Sequence, residues 1–166
     1  MKKLVWVYIV LYIFLTGCIS NHKKNQINNG NQFQKLNDVK GFESFFEESG
    51  ALIGEFDGKE YAVGVYADSI NRIIILEEIT NDSNGQAWYI AIDTIHIDQI
   101  VENQYIYLLS CRKNSVIDKN LIVLGNYEDK EYLTDIVKTW FVDLPNKEII
   151  EVKSDGIDCI NEGWGI

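Results

Sequence analysis

The chain has 166 residues and a formal net charge of −10 at pH 7, from 15 Lys and Arg against 25 Asp and Glu. This excess of acidic residues argues against binding to nucleic acid, because phosphate recognition requires clustered Lys and Arg. The length is sufficient for one domain with a sizeable core but not for two.

The first eighteen residues have the organisation of an export signal. Lys2 and Lys3 precede an almost wholly apolar segment, residues 4–15, which leads to a cysteine at position 18. The segment is short for a permanent membrane anchor, which needs roughly 20 apolar residues. The sequence LTGC at 15–18 resembles the lipobox of bacterial lipoprotein precursors. The alternatives are an ordinary signal peptide with a chance cysteine and a short uncleaved anchor.

The lipobox resemblance implies where the protein is held. It implies that residues 1–17 are a signal peptide, that Cys18 receives a diacylglyceryl group, and that cleavage exposes an amino group that is then acylated. Two acyl chains suffice for stable attachment to a membrane. Ile19 stands where Asp would retain a lipoprotein of a Gram-negative cell in the inner membrane. The resemblance therefore implies an outer-membrane protein facing the periplasm, or a plasma-membrane protein in a Gram-positive source.

Cleavage before Cys18 would leave a tether and one domain. Residues 18–37 are polar and rich in Asn and Gln, a composition typical of a disordered linker. Residues 38–166 are predicted to form a single β-rich globular domain. The mature chain would carry thirteen basic and twenty-five acidic residues, a formal charge of −12. That charge favours a basic protein as partner, although acidity that only maintains solubility is the alternative.

Two segments have apolar residues at helical spacing. Phe42, Phe45 and Phe46 lie at i, i+3 and i+4, with Asp38 as a possible N-cap, and predict a helix over 38–49. A similar pattern predicts a short helix within 128–137.

The remainder has the pattern of β-strands. Asp57-Gly58 is typical of a two-residue hairpin turn, and Pro145-Asn146 separates another strand pair. The continuous apolar runs RIIIL at 72–76 and LIVLG at 121–125 indicate central strands covered on both faces. The predicted fold class is α+β, mainly antiparallel β with one or two short helices, in a single small domain.

The two remaining cysteines, Cys111 and Cys159, predict a disulfide, because an exported protein faces an oxidising compartment. A redox or metal-binding thiol is the alternative, but no CxxC motif or neighbouring histidine supports it. The series AWYIAIDTIHID, a strand reaching Cys111, TWFVDLPNKEIIEV and DCINEGWG is similar to a set of small exported proteobacterial proteins of uncharacterised function. That similarity also implies the disulfide and a Gram-negative source, and it implies no activity and no site residues.

Few residues are candidates for a functional site. Strand alternation places His96 and Asp98 on one face, where they could act as a general base or bind a metal. No GxSxG or HExxH motif and no second histidine accompanies them, so a polar strand surface is the favoured interpretation. Trp164, in a Gly-flanked tail, is a possible binding residue. No catalytic residue, metal ligand or cofactor is assigned.

These features predict a lipid-anchored envelope protein that acts as a non-catalytic binding module. An immunity or inhibitor protein for a basic toxin or hydrolase is one concrete version. The alternative is a structural or accessory lipoprotein that contacts peptidoglycan or an outer-membrane assembly. A third hypothesis, less favoured, is a hydrolase that uses His96 as its base.

Overall fold

A computed structural model of the chain describes Ile27 and residues 29–165. The predicted signal peptide and Cys18 lie outside the described residues. No helix in the described part has the length and apolar character needed to cross a membrane.

The described part of the chain forms thirteen β-strands, which are β1 Gln32–Phe33, β2 Phe46–Phe56, β3 Lys59–Ala67, β4 Arg72–Asn81, β5 Ala87–Ile97, β6 Gln104–Leu108, β7 Cys111–Lys113, β8 Val116–Ile117, β9 Leu121–Asn126, β10 Tyr132–Leu133, β11 Ile136–Asp143, β12 Glu148–Val152 and β13 Ile157–Ile160.

The strands form three antiparallel sheets. The first sheet has the order β1-β5-β4-β3-β2, the second β12-β11-β9-β6 and the third β10-β13-β7-β8. Most neighbours in the first sheet are consecutive in the chain, so this sheet is built largely from hairpins.

The predicted hairpins are confirmed. Asp57 and Gly58 connect β2 to β3 with φ angles of 54° and 72°, the left-handed pair that matches the twist of a two-residue hairpin. The polar turn after β4 joins it to β5, where the Asp82 carboxylate accepts hydrogen bonds from the backbone N–H groups of Asn84 and Gln86. Pro145-Asn146 lies between β11 and β12, as the sequence predicts.

Three apolar clusters explain why two strands are apolar throughout. The largest cluster lies between the first and second sheets, a second covers the outer face of the first sheet, and a third lies between the second and third sheets. Residues of β4 belong to the first two clusters, and residues of β9 belong to the first and third. Both strands are therefore buried on both faces, as the runs RIIIL and LIVLG predict.

The predicted helix over 38–49 is wrong. Residues 36–38 form a single 3₁₀ turn, two further turns follow, and β2 begins at Phe46. Phe42 and Phe45 are buried with ring centroids 5.7 Å apart, whereas Phe46 is 64% exposed. Successive tight turns thus place two of the three rings against the first sheet, without a helix.

The predicted helix within 128–137 is also wrong. Tyr132 and Leu133 pair with β13, and β11 begins at Ile136. Paired with β13, Leu133 is fully buried in the apolar cluster between the second and third sheets. The α+β class is therefore wrong, because the described part of the chain is nearly all β and contains no α-helix, although its sheets are antiparallel and form a single small domain.

The packed chain also extends N-terminal to the predicted domain boundary at residue 38. β1 pairs with β5 at Gln32 and Phe33, and Phe33 and Leu36 are both 2% exposed. The segment 32–36 of the predicted tether is thus part of the fold. Residues 18–26 lie outside the described residues, so for them the tether stays a prediction.

Candidate functional site

The three residues predicted for binding do not share one element. His96 is in β5 opposite Ile73, Asp98 follows the end of β5, and Trp164 lies in the turn after β13 with 49% of its surface exposed. The first two belong to the first sheet and the third to the tail of the third sheet. No group of three or more His, Cys, Asp or Glu side chains in the described part could hold a metal ion.

The predicted cysteine pair is close enough to bond. The sulfur atoms of Cys111 and Cys159 lie 2.03 Å apart, which is consistent with the predicted disulfide. The two residues are directly opposite each other in β7 and β13, and both are fully buried. The next pair in register, Arg112 and Asp158, forms a two-pronged ion pair with N–O distances of 2.6 and 2.9 Å.

The C-terminal tail is held by Asn161. The side-chain amide of this residue donates hydrogen bonds of 3.0 Å to the backbone oxygens of Glu128 and Lys130, and its side-chain oxygen accepts one from the N–H of Gly163. Asn161 is 9% exposed, so these bonds satisfy a buried amide. Asn161 therefore has a structural role within the DCINEGWG sequence.

An acidic pocket on the outer face of the first sheet combines features that the sequence did not indicate. The pocket has a volume of about 230 Å³, and its lining includes Glu47, Gly50, Gly64, Tyr66 and Glu77. Glu77 is only 2% exposed, and its Oε1 accepts a 2.6 Å hydrogen bond from the Tyr66 hydroxyl.

Glycine at position 64 makes this arrangement possible. A Cβ added at Gly64 would lie 2.6 Å from Oε1 of Glu77 and 2.6 Å from the Tyr66 ring. Real Cβ atoms do not approach heavy atoms so closely, so a larger residue would displace the Glu77–Tyr66 pair. Gly50 of β2 is directly opposite Gly64 of β3. Because Gly50 has no side chain, the pocket is open toward the edge of the sheet.

The electrostatics of the acidic pocket follow from its burial. Burial raises the pKa of Glu77 to about 7, the hydrogen bond from Tyr66 opposes this rise, and the charge of Glu47 adds to it. Burial also raises the pKa of Tyr66 far above its usual value, so its hydroxyl remains a donor. Neither Glu47 nor Glu77 forms an ion pair within the described part of the chain. The pocket is therefore suited to a cationic group.

A second cavity lies on the other side of the same strand. This cleft between β2 and β6 has a volume of about 430 Å³ and is lined by residues 49–51, 106–110 and 160–163. Gly50 and Ala51 line both the cleft and the acidic pocket. The edge strand β2 therefore has a cavity on each face at the same two residues.

β2 is itself open on one side. Within the described part of the chain, residues 46–56 make backbone hydrogen bonds only with β3. The pairing with β3 is interrupted by bulges near Glu48 and Ile53, which leaves residues 49–52 as the regular stretch between them. We call this stretch the open edge.

Comparisons with known proteins add no family. No protein-family model matches the chain, and neither the curated proteins nor the solved structures include one that is significantly similar to it. The functional interpretation therefore depends on the site alone.

Sequence reasoning missed the site because its parts are far apart in the chain. Glu77 is one of two adjacent acidic residues in β4, which a strand directs to opposite faces. Glu78, on the other face, is bonded to Lys59 at 2.7 Å. Its burial depends on Tyr66 and Gly64 from β3. A signal in the sequence is that Glu77 directly follows four buried apolar residues of β4.

Proposed function

We propose that this protein is a lipid-anchored, non-catalytic envelope protein whose acidic domain binds a basic protein. An immunity or inhibitor protein directed at a basic toxin or hydrolase is the concrete version. The observation that carries the proposal is the acidic pocket, which has two carboxyl groups, no cation in contact within the described residues, and an open strand beside it.

The charge of the whole fold supports the same proposal. Residues 29–165 contain eleven Lys and Arg and twenty-five Asp and Glu, which gives a formal charge of −14. Such a field increases the rate of encounter with a basic protein and weakens as salt is added. Specific binding then depends on the few buried contacts that carry most of the binding free energy.

The capture of partners tests this function. Full-length protein in detergent, immobilised and exposed to envelope and secreted proteins of the source organism, is expected to retain one basic protein that elutes with salt. Glu47→Gln should weaken retention about tenfold, since it removes a charge from the acidic pocket. Glu55→Gln is the matched control, because it removes the same charge from an exposed position of β2 outside both cavities. Equal retention by all three proteins would contradict a specific site.

The membrane anchor is a separate part of the proposal. We propose that Cys18 carries the acyl chains and that the protein faces the periplasm from the outer membrane. Intact-mass measurement of the membrane fraction should find a diacylglyceryl group and a further acyl chain on a chain that begins at residue 18. Cys18→Ser should abolish this added mass. An unmodified wild-type protein in the soluble fraction would contradict the anchor.

A second candidate function is favoured by Trp164. Its side chain is 49% exposed between two glycines, which suits stacking on a glycan of peptidoglycan or contact with an outer-membrane assembly. Binding of that kind depends on apolar contact, so it would persist at high salt and be lost in Trp164→Ala. Trp164→Ala should leave the retention of the basic partner unchanged.

A further inference from the structure

The open edge can bind an extended segment of another chain through its backbone. A strand paired on one side only offers backbone N–H and C=O groups to an extended segment from another chain. In β2 the regular stretch 49–52 lies between two bulges, so about four residues are available, roughly 13 Å of strand.

The two cavities can hold the side chains of such a segment. Successive side chains of a strand point to opposite faces of the sheet, so a segment added beside β2 would direct alternate side chains to the two faces. The acidic pocket and the cleft lie on these two faces at Gly50 and Ala51. This is the arrangement in which backbone hydrogen bonds supply affinity and alternate pockets supply specificity.

Charge identifies the occupant. β2 carries Glu47, Glu48 and Glu55 and no basic residue. A second copy of the chain paired antiparallel over residues 49–52 would place Glu47 one position from the copy's Glu55, and this repulsion disfavours it. A basic segment has no such conflict, and its Lys or Arg side chain would meet Glu47 and Glu77 in the acidic pocket.

We propose that an extended segment of the basic partner adds to β2 as a further strand of the first sheet and places a Lys or Arg side chain in the acidic pocket. The residues on either side of that cation face the cleft between β2 and β6. This inference rests on the proposed function and specifies how the partner is held.

A designed peptide tests the binding mode without knowledge of the partner. The probe is acetyl-Thr-Val-Arg-Val-Thr-amide, titrated into isotopically labelled full-length protein in detergent and followed by amide NMR and hydrogen exchange. We expect changes in chemical shift across residues 49–52 and slowed hydrogen exchange at those of their amides that do not bond to β3. Citrulline in place of the arginine should weaken binding at least about tenfold, and so should N-methylation of the two peptide groups that flank the arginine.

Substitutions in the protein test the same contacts as the changes in the peptide. Gly50→Lys should abolish peptide binding, because its ammonium group would occupy the acidic pocket. An added Cβ there lies 3.1 Å from the flexible end of Glu47 and 3.7 Å from the oxygen of Val63, so the fold should tolerate the change. Ser83→Lys is the matched control, since it adds the same charge in the exposed turn after β4. Glu47→Gln provides a second variant that leaves the backbone unaltered.

Each failure has a distinct meaning. Binding that survives N-methylation would overturn strand addition, and so would protection, before any peptide is added, of those amides of residues 49–52 that do not bond to β3. A dimer that pairs through β2 would overturn it as well. If the peptide does not bind while a basic protein is still captured and Glu47→Gln weakens that capture, the binding mode is wrong and the proposed function stands. If nothing basic is captured, both are wrong.

Discussion

Replacing both cysteines of the third sheet, in Cys111→Ala/Cys159→Ala, is expected to lower the free energy of unfolding by about 4 kcal/mol. The crosslink joins residues 48 apart in sequence, and chain-entropy models give about this value for a loop of that length. The disulfide is a large part of the core beneath the third sheet, because its buried cluster contains six residues and two of them are these cysteines. A loss of this size corresponds to a fall of roughly 10 °C in melting temperature.

Urea denaturation of the full chain at one pH measures this loss. All proteins in the comparison carry Cys18→Ser, so that no third thiol is present. Dithiothreitol should destabilise the cysteine-containing protein by about the same amount and leave the double variant unchanged. A difference below about 1 kcal/mol would contradict a stabilising crosslink. Alanine is preferred to serine, because position 111 and position 159 are both fully buried among apolar side chains.

The same crosslink has a consequence for the proposed binding site. Cys159 lies in β13, and the last residue of this strand and the tail after it, residues 160–163, line the cleft beside β2. The bonds of Asn161 hold this tail to the loop at 128–131. Loss of the disulfide should therefore weaken the cleft side of the open edge before it affects the acidic pocket, which is built entirely from the first sheet.

Local sequence patterns predict the hairpins well. A turn such as Asp57-Gly58 imposes its geometry on the two residues that flank it, so the information is contained in a few neighbouring positions. Likewise, RIIIL predicts a central strand because five consecutive apolar residues need burial on both faces.

The two helix predictions failed for a non-local reason. The spacing of Phe42, Phe45 and Phe46 is compatible with a helix, but it is equally compatible with turns that bring two rings onto a sheet formed later in the chain. The outer face of the first sheet consists of residues such as Ile73 and Ile75, which cover those rings. In the same way, Tyr132 and Leu133 are strand because they pair with β13, which begins twenty residues after the segment 128–137 ends.

The candidate site was beyond prediction for the same reason. Its three strands contribute Glu47, Tyr66 and Glu77, and only the register of β2, β3 and β4 brings them to one pocket. A single sequence does not specify that register. The sequence instead indicates residues with a local signal, such as His96 on one strand face with Asp98 and Trp164 between two glycines.

The second large effect comes from the titration of Glu77. Its contribution to the free energy of unfolding of the protein should fall by about 3 kcal/mol as pH rises from 5 to 8. Burial raises the pKa of this carboxyl group to about 7 in the folded protein, whereas it is about 4.3 in an unfolded chain. The folded state therefore binds more protons than the unfolded state between these values. Stability decreases with rising pH wherever the folded state binds more protons, so this contribution is greatest at acidic pH and is lost through pH 7.

Glu77→Gln isolates this contribution from every other titrating group. The glutamine oxygen can still accept the hydrogen bond from Tyr66, and the side chain carries no charge at any pH. The variant should be more stable than the wild type by about 4 kcal/mol at pH 8 and by about 1 kcal/mol at pH 5. Urea denaturation of both proteins at each pH from 5 to 8 gives the difference directly.

The neighbours of Glu77 provide the internal control, because they alter its pKa in opposite directions. Tyr66→Phe removes the hydrogen bond that lowers the pKa, so the loss of stability should move to higher pH. Glu47→Gln removes a negative charge that raises the pKa, so the loss should move to lower pH. Tyr89, which lines the same pocket from β5, is left unchanged. A pH-independent difference between Glu77→Gln and wild type would mean that this carboxyl group titrates normally, and the acidic pocket would then be more open to water than its 2% exposure indicates.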